Sequence, residues 1–184
     1  MSTLNAVNLK HASSSSNNIV LASNGTSYIP KHIVQVVSST KSDTASTSST
    51  SPTEISSDLR AAITPASTSS KILVTFCLYI SQGDSSQSFR IYRDIGGGGY
   101  SVVGAADTGN DDGSFTHWAG DGGAFLDVMH FTYLDSPSTT SAVTYTPYWR
   151  VSGNTCYLNR GYDGSGNYNG VSTTTVMEIA AWVH

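Results

Sequence analysis

Residues 63–76 read ITPASTSSKILVTF, and the two halves of that stretch point in opposite directions. The hydroxyl-rich middle has the composition of a linker, whereas the run from Lys71 onward is the most concentrated apolar segment of the chain. As a linker it would divide two domains; as a turn it would join two strands of one. Pro65 stops a strand, because its ring fixes φ and removes an N–H donor. Ser and Thr hydroxyls can then bond the backbone of a tight connection. Upstream, Leu59, Ala61 and Ile63 alternate with Arg60 and Ala62, as in a half-buried strand. That strand needs cover for its apolar face, and the nearest candidate is the run opening at Ile72. In that run Ile72, Val74, Phe76, Leu78 and Ile80 point one way, and Leu73, Cys77 and Tyr79 the other. Two apolar faces suit a central strand or one packed against another subunit. The stretch therefore reads as a turn inside one domain.

The rest of the chain follows the same grammar. No window repeats apolar residues at helical spacing for three turns, while short period-two runs recur between Gly, Ser, Asn, Asp and Pro clusters. Strands are expected near residues 33–38, 53–64, 72–81, 88–93, 100–105, 115–118, 124–134, 142–151, 155–159 and 173–182. Pro147 pushes its strand toward a sheet edge, since proline cannot donate to a ladder. Gly96–Gly99 suits a hairpin tip, and Asp135-Ser-Pro-Ser138 a type I turn. The expected fold is all-β, an antiparallel β-sandwich of jelly-roll type.

Residues 1–30 differ. They hold only small apolar islands: Leu9, the trio Ile19, Val20 and Leu21, and the pair Tyr28 and Ile29. Ordering each residue costs about 1–2 kcal/mol of backbone entropy, more than such islands recover within one chain. They are read as an extended N-terminal attachment arm or a short trimeric β shaft, ahead of a β-sandwich over residues 31–184. A disordered tail is the plainer alternative. The candidate trimer interface comprises Ile19, Val20, Leu21 and Tyr28 with Leu73 and Tyr79 from the two-faced strand.

Composition excludes some functions. Charged residues make up only 12% of the 184, so Ser and Thr, more than a quarter of the chain, must solubilise the surface. Nine Lys and Arg against thirteen Asp and Glu give a net charge of −4 with no basic cluster, which argues against nucleic acid as a partner. The apolar run Ile72–Ile80 is about half the length of a membrane helix, so no membrane insertion is expected. The N-terminal MSTLNAVNLK lacks a basic region followed by an apolar core, which points to synthesis in a cytoplasm. Cys77 and Cys156 are expected to be reduced and unpaired.

Several segments resemble one recurring type of tailed-phage virion protein from marine and freshwater bacteriophages. They are MSTLNAVNLKH, NNIVLASNGTSYIP, IVQVVSSTKSDTASTSST, ITPASTSSKILVTF, FRIYRD, FTYLDSPSTTSAVTY and VMEIAAW, in that order along the chain. The middle, from about Gly96 to Gly123, is the least matched. The resemblance implies a structural protein of the tail fibre or appendage type, β-rich and commonly trimeric, assembled into a virion in the bacterial host cytoplasm. Its N-terminal segment would attach to other tail or capsid proteins. A capsid decoration or cement protein, or a head fibre, is the alternative within the same class.

No nucleophile elbow, P-loop or zinc-ligand spacing is present among the five histidines and scattered acids, so no enzyme, cofactor or metal is expected. Two loops remain as candidate contacts for a host-surface glycan. GNDDGSFTHWAGDGG gathers Asp111, Asp112, His117, Trp118 and Asp121, carboxylates beside an aromatic ring that could stack on a sugar. GYDGSGNYNG offers Tyr162, Asp163 and Tyr168, with tyrosines of the kind that supply contact area at low entropy cost. The second loop fails as a calcium site, with Tyr168 where glycine is required and Thr174 where a bidentate Glu belongs. In both cases a polar surface loop is the plainer reading. A polysaccharide-degrading tail protein is the reading from another class. It needs two carboxylates across a cleft, and the only glutamates, Glu54 and Glu178, lie in or beside expected strands.

Overall fold

The computed structural model describes residues 8–9, 12–13, 19–21, 27–28, 32–82, 86–104, 116–119, 126–163 and 169–180. Three short strands, β1 (Asn8–Leu9), β2 (Ile19–Leu21) and β3 (Ser27–Tyr28), pair as an antiparallel meander. These are the expected islands, joined to one another by strand pairing.

The remaining strands form two antiparallel sheets, a β-sandwich of jelly-roll type. Sheet I contains β4 (Ile33–Lys41), β5 (Ala45–Thr47), β8 (Lys71–Gln82), β12 (Asp127–Asp135), β14 (Cys156–Leu158) and β15 (Ser172–Ile179). Sheet II contains β6 (Thr53–Glu54), β7 (Ala61–Ile63), β9 (Ser86–Ile95), β10 (Ser101–Val103), β11 (Thr116–Ala119) and β13 (Val143–Val151). Strand β8 is central, as its two apolar faces imply. One edge pairs with β12 from Ile72 to Ile80, and the other with β15 and then β14.

The core lies between the sheets. From sheet I, Ile72, Val74, Phe76, Leu78, Ile80, Leu158 and Val176 are fully buried. They meet Phe89, Ile91, Val143, Tyr145, Trp149 and Val151 of sheet II in one cluster.

The opening stretch is a connection between sheets. β7 hydrogen-bonds to β13, so the strand before Pro65 belongs to sheet II and the strand after Lys71 to sheet I. Ile63 and Ile72 both belong to the one buried core cluster. The hydroxyls of the turn serve its own backbone: the Ser69 N–H donates to Ser67 Oγ at 3.3 Å, and the Ser70 N–H to the Ser67 carbonyl at 3.1 Å. Fully buried Glu178 anchors the turn, accepting from the Ala66 N–H at 2.8 Å and from Gln35 Nε2 at 2.6 Å. Buried Asn159, at φ 59, plays a similar part at the far end. Its amide donates to the carbonyls of Lys41 and Asp43 while its oxygen accepts from Ser172.

Three expectations are corrected. The single strand expected over 53–64 is β6, a 3-10 helix (Ser57–Leu59) and β7, because Ser56 caps the helix through a hydrogen bond from the Asp58 N–H. Residues 136–139 form no assigned turn; the chain crosses to sheet II with Ser138 at φ 53. Pro147 is not on an edge strand: β13 lies between β9 and the pair β6 and β7. The Pro147 carbonyl accepts from Ile55 N–H at 3.0 Å, so its nitrogen faces the same side. There the neighbouring strand is interrupted between Glu54 and Ala61, and no donor is needed from the ring nitrogen.

Candidate functional site

Core packing consumes one face of each sheet, and chemistry must be sought on the other. On sheet I, strand pairing lines the outward residues into rows. Val36, Met177, Leu73 and Leu134 are successive cross-strand partners, giving an apolar row across four strands. Ile33 and Ile179 extend it on one side. Beyond it comes a hydroxyl row of Ser38, Thr175, Thr75 and Thr132. Here Ser38 Oγ and Thr175 Oγ1 are 3.1 Å apart, and the Thr75 and Thr132 hydroxyls 3.4 Å apart. Thr40, Thr173, Cys77 and His130 follow, and then Tyr79 beside Val128. From the apolar row to Tyr79 no Asp, Glu, Lys or Arg stands on this face among the described residues; Lys71 lies at its margin, donating to Ser136 at 2.6 Å. Ile33, Val36, Val128 and Leu134 are 50–55% exposed.

The outward face of sheet II is different. Arg90, Tyr148 and Glu54 are successive partners, with Tyr92 and Thr146 in the next row. The Tyr92 and Tyr148 rings stack at 3.8 Å, and Tyr100 lies 6.3 Å from Tyr148. Arg60 grips Glu54 with Nε and Nη2 at 2.7 and 2.6 Å and lies 5.4 Å from the Tyr100 ring centre. Glu54 also accepts from Thr146 Oγ1 at 2.8 Å. Burial pushes the Glu54 carboxyl up, but the hydrogen bonds from Arg60 and Thr146 outweigh it and hold the group below its ordinary value. Burial pushes the Tyr148 and Tyr100 phenols up.

The residues expected at the site are scattered. His117 and Trp118 lie on β11, opposite Ser88 and Gln87 of β9. Asp111, Asp112, Asp121 and Tyr168 fall outside the described residues. Tyr162 is 36% exposed and meets Tyr157 edge-on at 5.9 Å, with Asp163 exposed beside it. Leu73 and Tyr79 do share the outward face of sheet I, whereas Ile19, Val20, Leu21 and Tyr28 lie in the meander. Sequence reasoning missed Val36, Met177, Val128 and Leu134, although residues 128–134 show the two-sided apolar pattern that singled out β8. It also missed the arginine and tyrosine group of sheet II, which comes together only through strand register. Cys77 and Cys156 are both free; Cys156 is buried, which pushes its thiol up, and it donates to Gln87 Oε1 at 2.7 Å. Among the described residues no three His, Cys, Asp or Glu side chains gather at a metal-sized site.

No protein-family model matches the chain, and no curated protein sequence matches it. Among solved structures, it is similar to the Eiger TNF of S. frugiperda, with a TM-score of 0.46 and 6% identity over 81% of this chain and 94% of that one. It is also similar to infectious bursal disease virus, Gt strain, with a TM-score of 0.44 and 12% identity over 85% of this chain and 40% of the viral one. An exo-β-1,3-galactanase from Phanerochaete chrysosporium matches with a TM-score of 0.23 and 12% identity, over 87% of this chain and 32% of that one. Likenesses at these scores assign neither family nor activity.

Proposed function

We propose that this chain is a non-enzymatic structural subunit of a tailed-phage virion, a tail fibre or appendage that assembles as a homotrimer. The observation that carries the reading is the outward face of sheet I. A four-strand sheet surface without formal charge, bearing Val36, Met177, Leu73 and Leu134 in one row, is costly to leave in water. At ordinary strand and residue spacings it covers roughly 600 Å², close to the 800 Å² or so that one partner gives to a stable interface. Copies of the same chain suit it best. An uncharged surface meets itself without repulsion, and Ser and Thr hydroxyls, each donor and acceptor, can pair with their own kind. The segment resemblance to phage virion proteins supplies the setting, and residues 1–30, with their meander, would be the attachment arm.

Light scattering on the purified chain at micromolar concentration tests the assembly, with three copies expected. Val36→Lys combined with Leu134→Lys should give a monomer with an unchanged near-ultraviolet spectrum. A monomeric parent overturns the reading. Locating the protein in a virion reconstruction tests its place: density on the tail supports an appendage, and density on the head makes it a decoration protein.

A further inference from the structure

The rows on the outward face of sheet I hold two side chains of the kind that bind transition metals, and the two are neighbours. Cys77 on β8 and His130 on β12 are direct cross-strand partners. Cys77 is a free, half-buried thiol, and His130 is exposed. Partners in an antiparallel pair point to the same face, with Cβ atoms about 4.5–5.5 Å apart. Zinc bonds of about 2.3 Å to sulfur and about 2.0 Å to nitrogen, at a tetrahedral angle, set the two donor atoms about 3.6 Å apart. Both side chains reach that separation from opposite positions on paired strands. Around them the face is apolar or hydroxylic: Thr75 and Thr132 precede the pair, Thr173 and Thr40 continue its row, and Tyr79 and Val128 follow.

We infer that Cys77 and His130 form part of a zinc site, completed by the same residues of neighbouring copies when this face closes. The inference rests on the assembly reading above, because among the described residues no third His, Cys, Asp or Glu joins the pair within one chain. Two ligands fill only half of a tetrahedral shell, and a closed symmetric assembly gathers the same row from each copy about its axis. The face offers a thiol and an imidazole but no carboxylate, which suits zinc and leaves calcium or magnesium without oxygen anions to bind. On binding, the thiol releases its proton to water, and the thiolate offsets the charge of the ion inside the interface. Closing the face without an ion buries an imidazole away from water, which is costly unless it finds a hydrogen bond. A bond to a hydroxyl of the neighbouring copy is the competing arrangement.

The test is metal analysis of the full chain, incubated with zinc under a phosphine reductant and then dialysed against metal-free buffer. Retained zinc is expected at less than one ion per chain, falling to about a tenth of that level or lower in Cys77→Ser and in His130→Ala. A second measurement serves if either variant fails to fold. Cobalt in place of zinc should give the assembled parent a sulfur-to-metal charge-transfer band. The Val36→Lys, Leu134→Lys variant keeps both ligands but loses its neighbours, and should lack that band. Trimers whose zinc content matches that of Cys77→Ser overturn the site and leave the assembly standing. A cobalt band that survives in the monomeric variant, or one zinc ion per chain there, overturns the shared site. A parent that stays monomeric overturns the assembly reading, and the shared site with it.

Discussion

Tyr145 on sheet II donates a 2.7 Å hydrogen bond from its hydroxyl to Asp135 Oδ2 on sheet I, and Arg93 Nη1 donates to the same oxygen at 2.7 Å. Tyr145 is fully buried and Asp135 nearly so, so the contact is a polar rivet between the two sheets through a mostly apolar layer. Burial, and then the neighbouring carboxylate, push the Tyr145 phenol well above its ordinary value of 10.0. Tyr145→Phe should therefore destabilise the fold by about 1–2 kcal/mol at neutral pH, with Arg93 still serving Asp135. A group whose pKa is raised on folding stabilises below its unfolded value and ceases to as pH rises through the folded one. The gap between parent and Tyr145→Phe in thermal melts should narrow above pH 10.

Glu54 behaves oppositely. Its carboxyl is held below the ordinary value of 4.5, so its contribution is complete above that pH and is lost as pH falls through the depressed folded value. Melting temperatures of the parent and Glu54→Gln should differ at pH 7 and converge in acid below 4.5. Equal acid sensitivity in both proteins would mean that Arg60 and Thr146 do not favour the ionised form.

Gly170 sits where a methyl group cannot. A Cβ there would lie 2.4 Å from both Cβ and Cγ of Tyr79. Gly170→Ala should cost about 1–3 kcal/mol in chemical denaturation. Combined with Tyr79→Gly it should cost less than the sum of the two single changes, because the second removes both the Cβ and the ring that the first collides with.

Cys77 gives a chemical reading of the sheet I face. It lies among the outward rows beside His130, whereas Cys156 is fully buried. In the assembled protein Cys77 should react with a thiol reagent about tenfold more slowly or worse than in the Val36→Lys, Leu134→Lys variant. Equal rates would place the interface elsewhere.

The strands and the two-faced character of β8 were legible because burial alternates with the side-chain period. Leu73, Cys77 and Tyr79 alternate with core residues in the sequence as they do in space. What could not be read was which strand lies beside which. The row Val36, Met177, Leu73 and Leu134 draws on four strands spread from one end of the sandwich sequence to the other. Pro147 misled for the same reason: its penalty depends on what its missing N–H would face, and that is fixed by the break between β6 and β7.

The placement of β15 has a consequence for the order of assembly. Residues 172–179 are inserted between β4 and β8, pairing with Ile33–Lys41 on one side and Lys71–Cys77 on the other. During synthesis, sheet I cannot close until nearly all of the described chain has left the ribosome. Until then β8 keeps one edge open over Lys71–Cys77, and Ile72, Val74 and Phe76 lack part of their cover. Contacts between such distant segments form slowly, after most of the loop-closure entropy has been lost. That interval is when an unfinished sheet is most prone to pair with the wrong neighbour, and a low-charge, hydroxyl-rich surface does little to keep such chains apart.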